Sequence, residues 1–181
     1  MIDGILEFTF RPVANKKPAI TTFVILLAIG AAAAGASVIS PLYKGLISMA
    51  AVIALCSAVY IFVRYISSDY AYVVAYAGDI PMFLVTKTVG KRVTTLFNMP
   101  LYQIVKIEAE SAKQRKERKT PAGTQRFNYN VTLLSWDGYR IYAKSRYGSK
   151  EILIEGTAEL SQRLMQYAAL AAEVELAEED Y

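Results

Sequence analysis

Lys113-Gln114-Arg115-Lys116-Glu117-Arg118-Lys119, followed by Thr120-Pro121-Ala122-Gly123 and then Arg126, puts six cations and one carboxylate into 14 residues. Ammonium and guanidinium groups this close together attract phosphate oxygens, and near an anionic lipid surface each contributes about 1 kcal/mol. The same run also reads as a solvated loop that keeps neighbouring strands from pairing with other chains. Nucleic acid ranks last, because no aromatic side chains are interleaved for base stacking. Catalysis has less to work with. The chain has no histidine, which removes the commonest acid/base and the usual zinc ligand. Its one cysteine, Cys56, lies in an apolar run that keeps a thiol protonated and unreactive, and it has no intrachain partner. Ser145 and Ser149 adjoin Lys144 and Lys150, but neighbours on a strand point to opposite faces. Glu108 with Glu110, and Glu151 with Glu155, share faces without sign of a pocket, and Gly148-Ser149-Lys150 lacks the upstream glycine of a phosphate loop. No enzymatic activity, metal or cofactor is expected.

The elements that must hold these residues fall into two regimes. The 181 residues carry 20 basic and 16 acidic groups, net +4, yet only six of those charges precede Arg64. Residues 19–39 and 46–63 are apolar runs of 21 and 18 residues, and a helix of that length crosses roughly 30 Å of hydrocarbon. Between them Ser40-Pro41-Leu42-Tyr43-Lys44-Gly45 stops a helix and turns the chain. Residues 18–66 therefore read as a two-helix transmembrane hairpin in the cell membrane. A signal peptide fits poorly, since the apolar stretch is too long and Asp3 and Glu7 precede it. Arg11, Lys16, Lys17 and Arg64 flank the outer ends while Lys44 alone occupies the turn, which puts both termini in the cytoplasm, with residues 1–17 as an N-terminal segment. Gly30, Ala31, Ala34 and Gly35 make a small-residue face for helix packing, within the hairpin or against another helix.

Beyond Asp69 the pattern changes to short β-branched and aromatic runs broken by turn residues. It predicts strands near 71–77, 82–88, 92–98, 103–109, 126–135, 139–145 and 151–155. Asp137-Gly138, after Trp136, is the clearest hairpin signal. A helix follows from Thr157, with Leu160, Leu164, Tyr167, Ala171 and Val174 as an apolar stripe to lay on the sheet. The fold class is thus a membrane α-hairpin followed by a mainly β domain over residues 67–181. The basic run falls in its one long connection.

Asn98-Met99-Pro100-Leu101-Tyr102-Gln103-Ile104-Val105-Lys106-Ile107-Glu108 resembles the I-P-L-x-x-I-x-x-I step of bacterial pleckstrin-homology-like (PH-like) domains that follow a two-helix membrane hairpin, with Met99 replacing the first isoleucine. The layout over residues 20–170 is similar as well. The resemblance implies a PH-like half-open barrel of about seven strands capped by the C-terminal helix, and a binding or scaffolding role. Eukaryotic relatives usually hold phosphoinositides through the first hairpin, but Gly78-Asp79-Ile80-Pro81 has no basic residue. The expectation is a non-catalytic scaffold at the cytoplasmic face, with an unknown protein or a second copy as partner. The alternative is an anionic-lipid-binding module acting through Lys113, Arg115, Lys116, Arg118, Lys119 and Arg126. Within the matched step, Ile104 and Ile107 lie on opposite faces of a regular strand, so both face the interior only if a bulge intervenes.

Overall fold

The computed structural model describes residues 4–39, 43–111, 113–114, 121–133, 137–146 and 148–179. They form two compact units, one chiefly Ala14–Asp69 and the other drawn from both sides of it, including Met1–Val13 and Tyr70–Val131.

The first unit is a pair of helices, α1 (Lys17–Ile39) and α2 (Lys44–Ile61), the second continued by a π-helical turn, Phe62–Ile66. Asn15 Oδ1 accepts the Lys17 N–H at 3.2 Å, and Pro18 stands in the first turn, where its missing donor costs nothing. The helices meet through small side chains: Ala19, Gly30, Ala51, Ala54 and Ala58 are buried. A Cβ on Gly30 would lie 2.9 Å from Leu55, so only glycine permits that approach. The outer surface is apolar, with Val24, Ile25, Ile29, Val52, Ile53 and Val59 all exposed. Helices of a soluble core would cover such side chains; these are long and apolar enough to cross a hydrocarbon layer. At the exit of α2, Ser67 N–H bonds Phe62 O at 2.8 Å and the Ser68 hydroxyl donates to Val63 O, so the terminal carbonyls are satisfied before a strand begins. Lys16 Nζ reaches Asp69 Oδ1 at 3.0 Å and Ile66 O at 3.1 Å, tying the two outer ends of the hairpin together.

The second unit holds two four-stranded sheets and a helix. The first sheet, in the order β1-β2-β3-β4, comprises Phe8–Phe10, Ser68–Ala77, Ile80–Val89 and Arg92–Pro100. The second, in the order β5-β7-β8-β6, comprises Ile104–Ser111 (β5), Asp137–Ser145 (β7), Gly148–Ile154 (β8) and Gln125–Asn128 (β6). Strands β6 and β8 pair in parallel and the other ladders are antiparallel; among the described residues no ladder joins the two sheets, so the barrel is not closed. The core lies on Tyr72, Val74, Phe83, Val85, Met99, Ile141, Ile152 and Ile154. The helix α3 (Ala158–Glu179) lays Leu160, Leu164, Tyr167 and Ala171 onto it, with Val174 half-buried, and packs over a 3-10 turn, Leu101–Gln103. Thr157 Oγ1 caps α3 by accepting the Leu160 N–H at 3.3 Å.

Three features depart from the sequence reading. Strand β1 precedes the helical hairpin and pairs with β2, which follows it, in the register Phe8↔Val74, Thr9↔Val73, Phe10↔Tyr72. The strand expected over 126–135 ends at Asn128. Asp137-Gly138 is no turn but the start of β7, opposite Ser111 and Glu110; a tight turn joins adjacent strands only, and β8 stands between β6 and β7. For Ile104 and Ile107 the bulged alternative holds: a bulge between Ile104 and Lys106 returns Ile107 to the face of Ile104, opposite Ile141 and Ala143.

Candidate functional site

The basic connection leaves β5 through a reciprocal cap. Ser111 N–H donates to Gln114 Oε1 at 2.9 Å and Gln114 N–H to Ser111 Oγ at 3.4 Å, the Ser-x-x-Gln capping box that starts a helical turn at Lys113. Lys113 is exposed. Arg115, Lys116, Arg118 and Lys119 lie outside the described residues. The chain resumes in a turn closed by Thr124 N–H on Pro121 O at 3.2 Å and enters β6, where Arg126 is exposed. Because β5 and β6 are opposite edges of their sheet, the connection crosses three inter-strand spacings, about 14 Å. Lys113 and Arg126 therefore stand at the two sides of the sheet.

Of the small-residue face, Gly30 alone lies buried in the helix pair; Ala31, Ala34 and Gly35 are exposed, and nothing stands within 4 Å of a Cβ on Gly35. The alanines that receive α1, Ala51, Ala54 and Ala58, were legible as a stripe at three- and four-residue steps on the partner helix.

The unexpected constellation is ionic and buried. Arg140 of β7 lies between Glu110 of β5 and Glu151 of β8, with side-chain exposures of 1%, 3% and 2%. Its Nε and Nη2 donate to the two Glu110 oxygens at 3.2 and 2.5 Å, and Nη1 donates to Glu151 Oε2 at 2.6 Å. Burial pulls the guanidinium down, but the Glu110 hydrogen bonds and the fields of both carboxylates outweigh it and hold Arg140 above its ordinary value. Gly138, opposite Glu110, adds no side chain to that face. Both carboxylates are thus taken up by a fork of donors and do not stand as acid or base toward a substrate. Their work is to clamp three strands at the root of the basic connection, since Glu110 adjoins the capping box. The sequence gives no local signal for this cluster, since each of the three strands carries two or three charges and only the strand pairing selects Glu110, Arg140 and Glu151 for burial.

A second buried polar group links the sheets. The Tyr72 hydroxyl donates to Tyr129 O and accepts the Glu155 N–H, both at 3.0 Å. Burial holds it well above the usual tyrosine range, although the Glu155 N–H favours the ionised form. Where β1 meets α3, Arg163 lies 5.4 Å over the Phe8 ring and pairs with Glu159 at 3.2 Å, so this cation is already engaged. Among the described residues no three His, Cys, Asp or Glu side chains gather as a metal site, and Cys56 is exposed on α2. Comparison with known proteins leaves these features without a template: no family model matches the chain, and no curated protein matches it.

Proposed function

We propose that this chain is a membrane-anchored, non-catalytic interaction protein whose helical hairpin spans the cell membrane twice and whose β domain is presented at the cytoplasmic face. The observation that carries the reading is the β1–β2 ladder, whose strands flank the hairpin on either side in sequence. Two strands cannot pair across a bilayer, so a spanning hairpin puts both flanks on one side. Arg11, Lys16, Lys17 and Arg64 at the outer ends, against Lys44 in the turn, favour the cytoplasm for that side. Two antiparallel-rich sheets with a helix laid on their core support the likeness to a PH-like half-open barrel, a fold suited to display and binding. The partner is a protein or a second copy. Cross-linking of the full chain in its native membrane, at exposed strand positions such as Thr94 and Lys106, is expected to yield a discrete adduct of defined stoichiometry; a chain that stays monomeric at every position overturns the reading.

A second reading, an anionic-lipid module acting through residues 113–126, is favoured by exposed Lys113 and Arg126 at the two ends of the connection. Replacing Lys113, Arg115, Lys116, Arg118, Lys119 and Arg126 with glutamine is then expected to abolish salt-sensitive protection of this segment from proteinase K, which does not need basic residues to cleave, in anionic nanodiscs.

A further inference from the structure

The β3–β4 hairpin ends in a two-residue turn, Gly90-Lys91, between the paired Val89 and Arg92. Gly90 has φ 59°, the left-handed conformation this tight turn needs at its first position. Residues 92–96 are exposed without interruption, and Val89 and Val93 are 39% and 67% exposed. Strand alternation sets these valines on opposite faces, since Val89 pairs with Arg92 and Val93 with Thr88. Lys87, Lys91 and Arg92 surround them, residues 80–100 contain no acidic side chain, and among the described residues none of the three cations has an ion-pair partner.

The register of the sheet says where this tip lies. Thr86 Oγ1 donates to Ala71 O at 3.3 Å, and counting on along the antiparallel strands sets Val89 level with Ser68. Ser68 comes two residues after Ile66, the last residue of the second long apolar helix. The tip is therefore at the end of the sheet where the chain enters from the helical hairpin, and Asp79, the acidic turn of the β2–β3 hairpin, is at the other end. Arg11 follows β1 at the same end as the tip, one residue past the Phe10↔Tyr72 pair.

We propose that the Val89–Val93 tip is a membrane-contact site of its own, dipping its two valines into the headgroup layer of the bilayer while Lys87, Lys91 and Arg92 bind anionic lipid phosphates. The site is separate from the basic connection and rests on the reading of α1 and α2 as membrane spans. An exposed valine on each face of the sheet at this corner suits the headgroup/acyl boundary, which can surround the tip, whereas a flat protein partner covers one face only. A ring of cations with no acid matches anionic headgroups.

The test uses the full chain, Cys56→Ala, in nanodiscs, with a polarity-sensitive fluorophore on Val93→Cys or, as control, on Val52→Cys of α2. In phosphatidylcholine containing phosphatidylglycerol, the Val93 probe is expected to emit blue-shifted light and to be quenched by a headgroup-level lipid quencher. In phosphatidylcholine alone, at high salt, or with Lys87→Gln, Lys91→Gln and Arg92→Gln together, it returns to aqueous emission. Aqueous emission from Val93 in both lipids, while Val52 stays dry, overturns the tip contact alone. So does blue emission that no lipid quencher reaches, or quenching indifferent to lipid charge. Aqueous emission from Val52 overturns the membrane reading beneath it.

Discussion

Arg140 illustrates why a buried charge is better judged by what its loss exposes than by what its presence adds. Removing one partner from a fully buried ion cluster leaves an uncompensated charge, a cost of about 3–5 kcal/mol, whereas replacing the whole cluster with apolar side chains is often neutral or stabilising. Arg140→Met should accordingly lower the urea midpoint of the β domain sharply, read through Trp136, the single tryptophan of the chain. The triple change Glu110→Leu, Arg140→Met, Glu151→Leu should restore most of it; a triple variant as weak as the single one would contradict this account. Tyr72 gives a pH dependence of definite sign. Its hydroxyl holds its proton more tightly folded than unfolded, so its contribution is fully present below about pH 10 and is lost as pH rises beyond it. Tyr72→Phe leaves the Tyr129 carbonyl and Glu155 N–H without their partner, which should cost about 1–3 kcal/mol at neutral pH. Alkaline titration of its unfolding free energy should then be flatter above pH 10 than that of the parent. None of this was legible residue by residue: Arg140 stands 30 positions from Glu110 and 11 from Glu151, and only the pairing of strands brings them together. The basic run, by contrast, is a matter of local composition and was plain in the sequence.

Elements were readable in proportion to how much of their pattern is local. The stripe of α3 repeats over four turns, and Leu160, Leu164, Tyr167 and Ala171 are buried as the periodicity demands; Leu164→Ala, at 0% exposure, should cost about 2–5 kcal/mol in the same urea assay. Three residues of β1 carry no such period, and their strand exists because β2 offers an edge. The Asp137-Gly138 signal was locally sound, yet β5 supplies a ladder partner at each of these positions and the intervening β8 rules out a hairpin. The bulge after Ile104 belongs to the pair of strands and to neither alone. Because it turns Ile104 and Ile107 to one face, aspartate at either should weaken the domain, with Ile104→Asp, the buried position, costing several kcal/mol and the half-buried Ile107→Asp less. Equal, negligible effects would show the strand to be set differently.

For the molecule as a whole, the ladder between β1 and β2 makes the flanks of the hairpin a single structure. Single cysteines in a Cys56→Ala background should report it: Leu6→Cys and Asp79→Cys should react from the same side of sealed vesicles and Lys44→Cys from the other. Reaction of Leu6→Cys together with Lys44→Cys would break the topology. The same ladder also dictates a timetable of biosynthesis. Phe8 leaves the ribosome first but meets Val74 only after 65 intervening residues, both apolar helices among them, have been made. At roughly 5–20 residues per second this is an interval of several seconds. Throughout it Phe8 and Phe10 have no strand to join, because β2 has not yet been made. Strand β1 is made before the two helices yet is ordered only after them, so a nascent chain stalled before β2 should carry a protease-sensitive β1 segment that becomes protected when translation resumes.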